Sequence, residues 1–245
     1  MNITICDDER RFDITAANRI VGQIMSKPDS VIGLSTGRTT HAMHNIVGKL
    51  YAEMQFDVSA VTFFGLDEVV GVEPTYSGAC CVMLHDELID ALALDDRQLL
   101  MLPTKSADFA HDCCSFKEQL RLRGGIDLLI LGLGENGHLG FNQPGTPFGQ
   151  EAWVTCMDPQ LECRIRRETA TPDDVWLGGV TLGLKDIMHA RHIVLVAKGA
   201  RKAAIVDRML NGDVSIDCPA SILQLHPHCE FLLDKDAATL VDALK

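Results

Sequence analysis

The chain has 245 residues, 47% hydrophobic and 23% charged, a balance ordinary for a globular protein and a length that buries a substantial core without disulfides or metals. Its formal net charge of −12 argues against the basic face that non-specific nucleic-acid binding requires, yet a few local cations and a helix N-terminus suffice for one phosphate. No apolar run approaches membrane-spanning length and no charged-then-apolar leader stands at Met1, so the expectation is a cytoplasmic protein with neither nucleic-acid nor membrane partners. The nine cysteines, with no CxxC spacing, read as reduced and mostly buried thiols.

In chain order, short apolar runs predict strands over residues 3–6, 31–34, 61–66, 99–102, 128–133, 192–197 and 230–233. Apolar residues at helical spacing predict helices over 39–54, 77–92, 107–123 and 200–210, the last stopped by Asn211-Gly212. This alternation points to an α/β fold: a single-domain, Rossmann-like sandwich over residues 1–245, with a mainly parallel sheet flanked by helices. No linker, low-complexity tract or internal repeat divides it.

In such folds ligands bind outside the carboxyl ends of the strands, and three segments have that position. Ser35-Thr36-Gly37-Arg38-Thr39-Thr40 joins strand 31–34 to a helix. Its hydroxyls and backbone N–H groups suit a phosphate, although Thr39 or Thr40 could equally serve as a helix cap. It is neither a Walker A motif nor a GxGxxG fingerprint. Asp67-Glu68 follows strand 61–66, where a carboxylate can act as general base on a carbon acid or end the strand as a solvated acidic pair. The glycine-rich stretch 131–145 follows strand 128–133 and sets His138 between Asn136 and Gln143. Those two amides stand where a proton-transfer site would more naturally hold carboxylates. A parallel sheet brings all three segments to one rim.

Elsewhere, Arg164, Arg166 and Arg167, or Arg201 and Lys202, could clamp a phosphate or form exposed ion pairs. His226-Pro227-His228 lacks a third ligand at sensible spacing for a metal and reads as structural.

Five segments in order, 33–40, 62–71, 132–144, 199–202 and 219–227 with its Leu223-Gln224-Leu225-His226-Pro227, resemble the glucosamine-6-phosphate deaminase/isomerase family, which shares its fold with 6-phosphogluconolactonases. Gly137-His138-Leu139-Gly140-Phe141-Asn142 and the 223–227 segment look like the amino-sugar branch, and Asn136 with residues 181–186 is similar to galactosamine-6-phosphate isomerases. The resemblance implies conversion of an amino-hexose 6-phosphate, glucosamine or galactosamine, to the ketohexose 6-phosphate with release of ammonia, and no metal or organic cofactor. Asp67 would shuttle a proton between C2 and C1, and His138, flanked by Asn136 and Gln143, would open the ring. Ser35, Thr36, Gly37, Arg38, Thr39 and Lys202 would hold the phosphate, with Gly134, Gly137 and an arginine, Arg164 or Arg166, completing the pocket.

Three departures from the family pattern stand out. The deaminases carry aspartate at the position of Asn136 and glutamate at that of Gln143, and glycine where this chain has Arg38. Residues 146–155 contain no Lys or Arg, so the family's allosteric site for an N-acetylated amino-sugar phosphate is not expected; a monomer and a homo-oligomer both stay open. Two other readings remain: a 6-phosphogluconolactonase-like hydrolase, and a sugar-phosphate-binding protein whose ring-opening chemistry is weakened by the two amides.

Overall fold

The computed structural model describes residues 2–241. Seven strands form a parallel sheet in the order β1-β10-β9-β6-β2-β3-β5. These are β1 (Asn2–Cys6), β2 (Val31–Leu34), β3 (Thr62–Gly65), β5 (Leu99–Leu100), β6 (Leu128–Gly132), β9 (His192–Ala197) and β10 (Cys229–Asp234). All seven runs expected from sequence lie in this sheet. Alternate residues of one strand feed opposite faces, as a two-residue period demands: Leu129 and Leu131 join one core, Leu128 and Ile130 the other. Both faces are covered, which is why the strands read as continuous apolar runs.

On one face lie α1 (Glu9–Ser26) and α2 (His41–Met54), together with α3 (Cys80–Leu84), which continues into a π-turn at His85–Ile89. On the other lie α4 (Phe109–Leu122), α7 (Ala203–Asn211) and a 3₁₀ segment, Pro219–Leu225. Helix α1 packs through Phe12, Ala16, Ile20 and Ile24, all fully buried, and Asp8 caps it by accepting from the Arg11 N–H at 2.8 Å. The expected helix 77–92 is therefore two pieces, and the expected helix 200–210 begins with a 3₁₀ turn at Ala200–Lys202.

A second, antiparallel sheet, β4-β8-β7, was not expected: β4 (Asp67–Val70), β7 (Trp153–Thr155) and β8 (Gly178–Thr181). It is a correction to the reading of Asp67-Glu68 as a strand stop. The acidic pair opens a new strand that turns from the parallel sheet to pair with β8. The chain order reverses between β2 and β6, the position at which open α/β sheets leave a crevice. The first strand of the small sheet and α5 (Pro159–Thr169) wall that crevice, while α6 (Leu184–Ile187) packs into the core. No helix among the described residues is long and apolar enough to cross a membrane.

Candidate active site

The crevice is a cleft of about 570 Å³ between the turn after β2, the start of β4, the glycine-rich loop after β6, α5 and Lys202. The three segments singled out in the sequence do converge on it. Ser35 closes the floor: its hydroxyl donates to the Ile130 carbonyl at 2.9 Å and accepts from the Gly132 N–H at 3.4 Å, tying β2 to β6. Beyond it, Gly37 takes φ +125°, a value open to glycine, and its carbonyl accepts from the Thr40 and His41 N–H groups. Thr40 does not cap α2 by its side chain; its hydroxyl donates back to Gly37. The turn thus presents Thr36, Arg38 and Thr39 to the cleft at the positive end of a 14-residue helix.

Asp67 and Glu68 divide two roles. Glu68 is buried and accepts the N–H groups of Cys80 at 2.8 Å, Cys81 at 2.8 Å and Val69 at 2.7 Å; it caps α3. Asp67 lines the cleft. Burial first, and the neighbouring Glu68 second, push its carboxyl up to about 7, against a hydrogen bond from Cys80 that favours the ionised form. A carboxylate poised near neutrality is what a general base requires.

The His138 loop is a compact self-bonded turn. The Gly134 N–H donates to the His138 carbonyl at 3.0 Å and the Gly137 N–H to the Gly134 carbonyl at 3.1 Å. The imidazole lies on Gly134, where a Cβ would come within 2.3 Å of the ring. Asn142, fully buried, anchors the loop: its amide donates to the Leu139 and Leu182 carbonyls and its oxygen accepts from Trp153 Nε1–H. Gly140 (φ +57°) permits the close approach to β4, since a Cβ there would stand 2.6 Å from Thr181 Oγ1 and 3.1 Å from Asp67 Oδ2. The base and the imidazole line the same cleft.

The two amides form a chain with the histidine. Asn136 Oδ1 accepts from the His138 backbone N–H at 3.1 Å and lies 2.7 Å from His138 Nδ1. A backbone N–H can only donate, so the oxygen of Asn136 faces the loop and Nδ1 must carry the ring proton. The Asn136 amide N–H in turn donates to Gln143 Oε1 at 2.9 Å. The amides fix the tautomer, leaving Nε2 as the basic nitrogen, but they supply no charge. Burial, then Lys202, lower the proton affinity of His138; Asp158 at the start of α5 opposes them. Asp158 is thus the carboxylate that acts on His138, and it comes from outside the loop.

Lys202, half-buried, donates to the Leu133 carbonyl at 2.6 Å, and burial holds its ammonium below the usual lysine range. Of the arginines on α5, Arg164 faces the cleft and pairs loosely with Glu168 at 3.7 Å. Arg166 is turned away, held by Glu162 at 2.7 Å and the Pro172 carbonyl. Twelve of the thirteen candidate site residues line the cleft; Gly137 is the exception and a correction. It takes φ +89° and packs on Cys218, where a Cβ would meet Sγ at 2.8 Å, so its part is in shaping the turn. Cys80, Asp158 and Gln160 also line the cleft without having been singled out as site residues. The 226–228 motif is structural: His226 Nε2–H donates to the Ala190 carbonyl at 2.9 Å and Nδ1 accepts from the His228 N–H.

A doubly covered parallel sheet with a cleft at its switch point, walled in part by the first strand of a small antiparallel sheet, places the chain among open α/β proteins with a ligand site at the strand ends. The family model for glucosamine-6-phosphate isomerases/6-phosphogluconolactonase matches residues 13–231, and the chain belongs to that family. It is 32% identical over 241 residues to a glucosamine-6-phosphate deaminase of Halothermothrix orenii, covering 98% of this chain and 100% of the relative. It is likewise 32% identical to that of Bacillus pumilus, covering 98% and 100%. Among solved structures, a monomeric glucosamine-6-phosphate deaminase superposes with TM-score 0.89 at 28% identity, over 98% of this chain and 100% of that one. A 6-phosphogluconolactonase from Trypanosoma cruzi superposes with TM-score 0.78 at 19% identity, over 99% and 97%, a likeness of fold.

Proposed function

We propose that the protein is an aldose–ketose isomerase and deaminase of an amino-hexose 6-phosphate. The observation that carries this reading is Asp67: a carboxyl with affinity near neutrality, in a cleft also lined by an imidazole of fixed tautomer and by Lys202, Arg38, Arg164 and the turn before α2. Binding the phosphate there would lay the sugar toward Asp67 and His138. Neutral His138 Nε2 would take the proton of the anomeric hydroxyl and return it to the ring oxygen. Asp67 would carry a proton between C2 and C1 of the open chain, and water would then release ammonia from the imine. These steps need only acids, bases and water. The 32% identical deaminases support the amino-sugar branch; the proposal covers glucosamine and galactosamine forms alike.

Lactone hydrolysis needs no base on a carbon acid, so the position and affinity of Asp67 favour the isomerase over a 6-phosphogluconolactonase reading. The amide chain favours slow ring opening, because an imidazolium formed in transit has an amide oxygen and not a carboxylate on Nδ1.

The deciding experiment incubates the protein with glucosamine-6-phosphate, galactosamine-6-phosphate and 6-phosphogluconolactone, following ammonia, ketose and lactone in parallel. Ammonia with ketose from either amino sugar is expected; lactone loss alone would replace the assignment, and binding without turnover would leave a sugar-phosphate receptor.

A further inference from the structure

One cleft-lining group has no part in the chemistry above. Cys80, at the first turn of α3, is buried, and its thiol points at the base: Sγ lies 3.6 Å from Asp67 Oδ1. Behind it, Thr36 Oγ1–H donates to the same sulfur at 3.3 Å. The cysteine backbone is fixed as well, since its N–H donates to Glu68 Oε1 at 2.8 Å. Three residues of separate segments thus form one line: the turn before α2, the first turn of α3, and the start of β4.

We propose that Cys80 is the positioning residue of Asp67, its thiol donating to Oδ1 so that Oδ2 is left toward the substrate, and linking the carboxylate to the turn that would hold the phosphate. Burial beside Asp67 and Glu68 raises the Cys80 thiol well above its ordinary value, so it acts as an S–H donor and not as a thiolate nucleophile. An S–H is a weak donor, but one that itself accepts a hydrogen bond is polarised and donates better. The thiol stabilises the ionised form of Asp67 against the burial and the Glu68 charge that oppose it. The other ionisable groups that line the cleft with Asp67 are His138 and Glu135 on the loop, Arg38 on the turn, Asp158 capping α5, Arg164 on α5, and Lys202.

The role of Asp67 as base rests on the proposed function, so the test has one readout that uses substrate and one that does not. The first is the pH profile of kcat/KM with the amino-sugar phosphate that is turned over. In Cys80→Ala the acidic limb moves to higher pH by roughly half a unit to one unit, the effect of losing one weak donor to a carboxylate. Activity at pH 6 then falls about three- to tenfold, against less than about twofold above pH 8.5. Cys80→Ser keeps a donor and returns the limb toward the wild-type position. Thr36→Val moves the limb the same way, and adding it to Cys80→Ala moves the limb no further, because Thr36 acts through the thiol. The second readout is the titration of the Asp67 carboxyl followed by ¹³C NMR in the ligand-free protein, whose midpoint rises in Cys80→Ala. Wild-type turnover with parallel pH profiles in the variants and an unmoved midpoint would overturn the role of Cys80 and leave the isomerase intact. An inactive wild type with a shifted midpoint would remove the isomerase and leave the thiol contact standing.

Discussion

Asp67→Asn should abolish turnover and stabilise the protein, by an amount that depends on pH. The folded protein raises the Asp67 carboxyl from 3.8 to about 7, so its ionised form is disfavoured in the fold relative to the unfolded chain. The stabilisation linked to the proton is complete below about pH 3.8 and is lost as pH rises through about 7. At roughly 1.4 kcal/mol per unit the ceiling is about 4 kcal/mol. The carboxylate lines an open cleft that water enters, which reduces the expected figure to about 1–2 kcal/mol. The asparagine does not titrate. At pH 8.5 the variant should therefore outlast the wild type by about 2–6 °C in Tm, and the gap should shrink as pH falls to 5. Thermal and urea unfolding of both proteins across pH 5–8.5 measures it. A gap that stays flat across that range would refute the claim that Asp67 is held near neutrality by burial, whatever the loss of turnover.

Asn136→Asp places a carboxylate 2.7 Å from His138 Nδ1 without moving the ring, and Gln143 can rotate its amide to donate in place of accepting. The His138 affinity should rise by about 1–3 units and turnover of the cyclic sugar with it, read from ¹H NMR of the imidazole and initial rates. Unchanged rates would mean that ring opening does not limit turnover. Gly140→Ala would press a methyl toward Thr181 Oγ1 and Asp67 Oδ2; displacing the loop by a fraction of an ångström should cost at least about tenfold in kcat, with stability lower by about 1–3 kcal/mol. On the far side of α2, Glu87 accepts from His44 at 2.7 Å and His41 at 2.9 Å. Burial raises its carboxyl, but the two histidines outweigh it and hold Glu87 below the ordinary 4.5. Its stabilisation is present above pH 4.5 and lost as pH falls through the lower folded value. Glu87→Ala should cost about 3 kcal/mol at neutral pH, in urea unfolding, because His44, fully buried with Nε2 unpartnered among the described residues, loses its remaining partner.

The parallel sheet was legible because it is buried on both faces: runs such as Leu128–Gly132 are apolar at every position, and no tertiary knowledge is needed to read them. The antiparallel sheet was not. Asp67-Glu68-Val69-Val70 opens on two acids, Gly178-Gly179 has the lowest strand propensity, and Trp153–Thr155 is three residues long. Those strands depend on Gly179 leaving room for the ring of Phe141, some 38 residues earlier, a contact that no local pattern encodes.

The site divides in the same way. Sequence order alone places the turn 35–40, Asp67 and His138 at the carboxyl ends of parallel strands, because a βαβ chain has no other rim for them. Side-chain direction needs the packed structure. Arg164 and Arg166 are two residues apart on α5, and only the packing of Ile165 into the core decides that one faces the cleft and the other Glu162. The functions of the acidic pair are separated likewise: the pleat turns Glu68 inward to cap α3 and leaves Asp67 at the cleft. Cys80 lies thirteen residues from Asp67, in a stretch whose sequence signal was the helical spacing over 77–92. That it meets the base is a fact of how α3 docks on β4, and the amino-acid order by itself has no means of stating it.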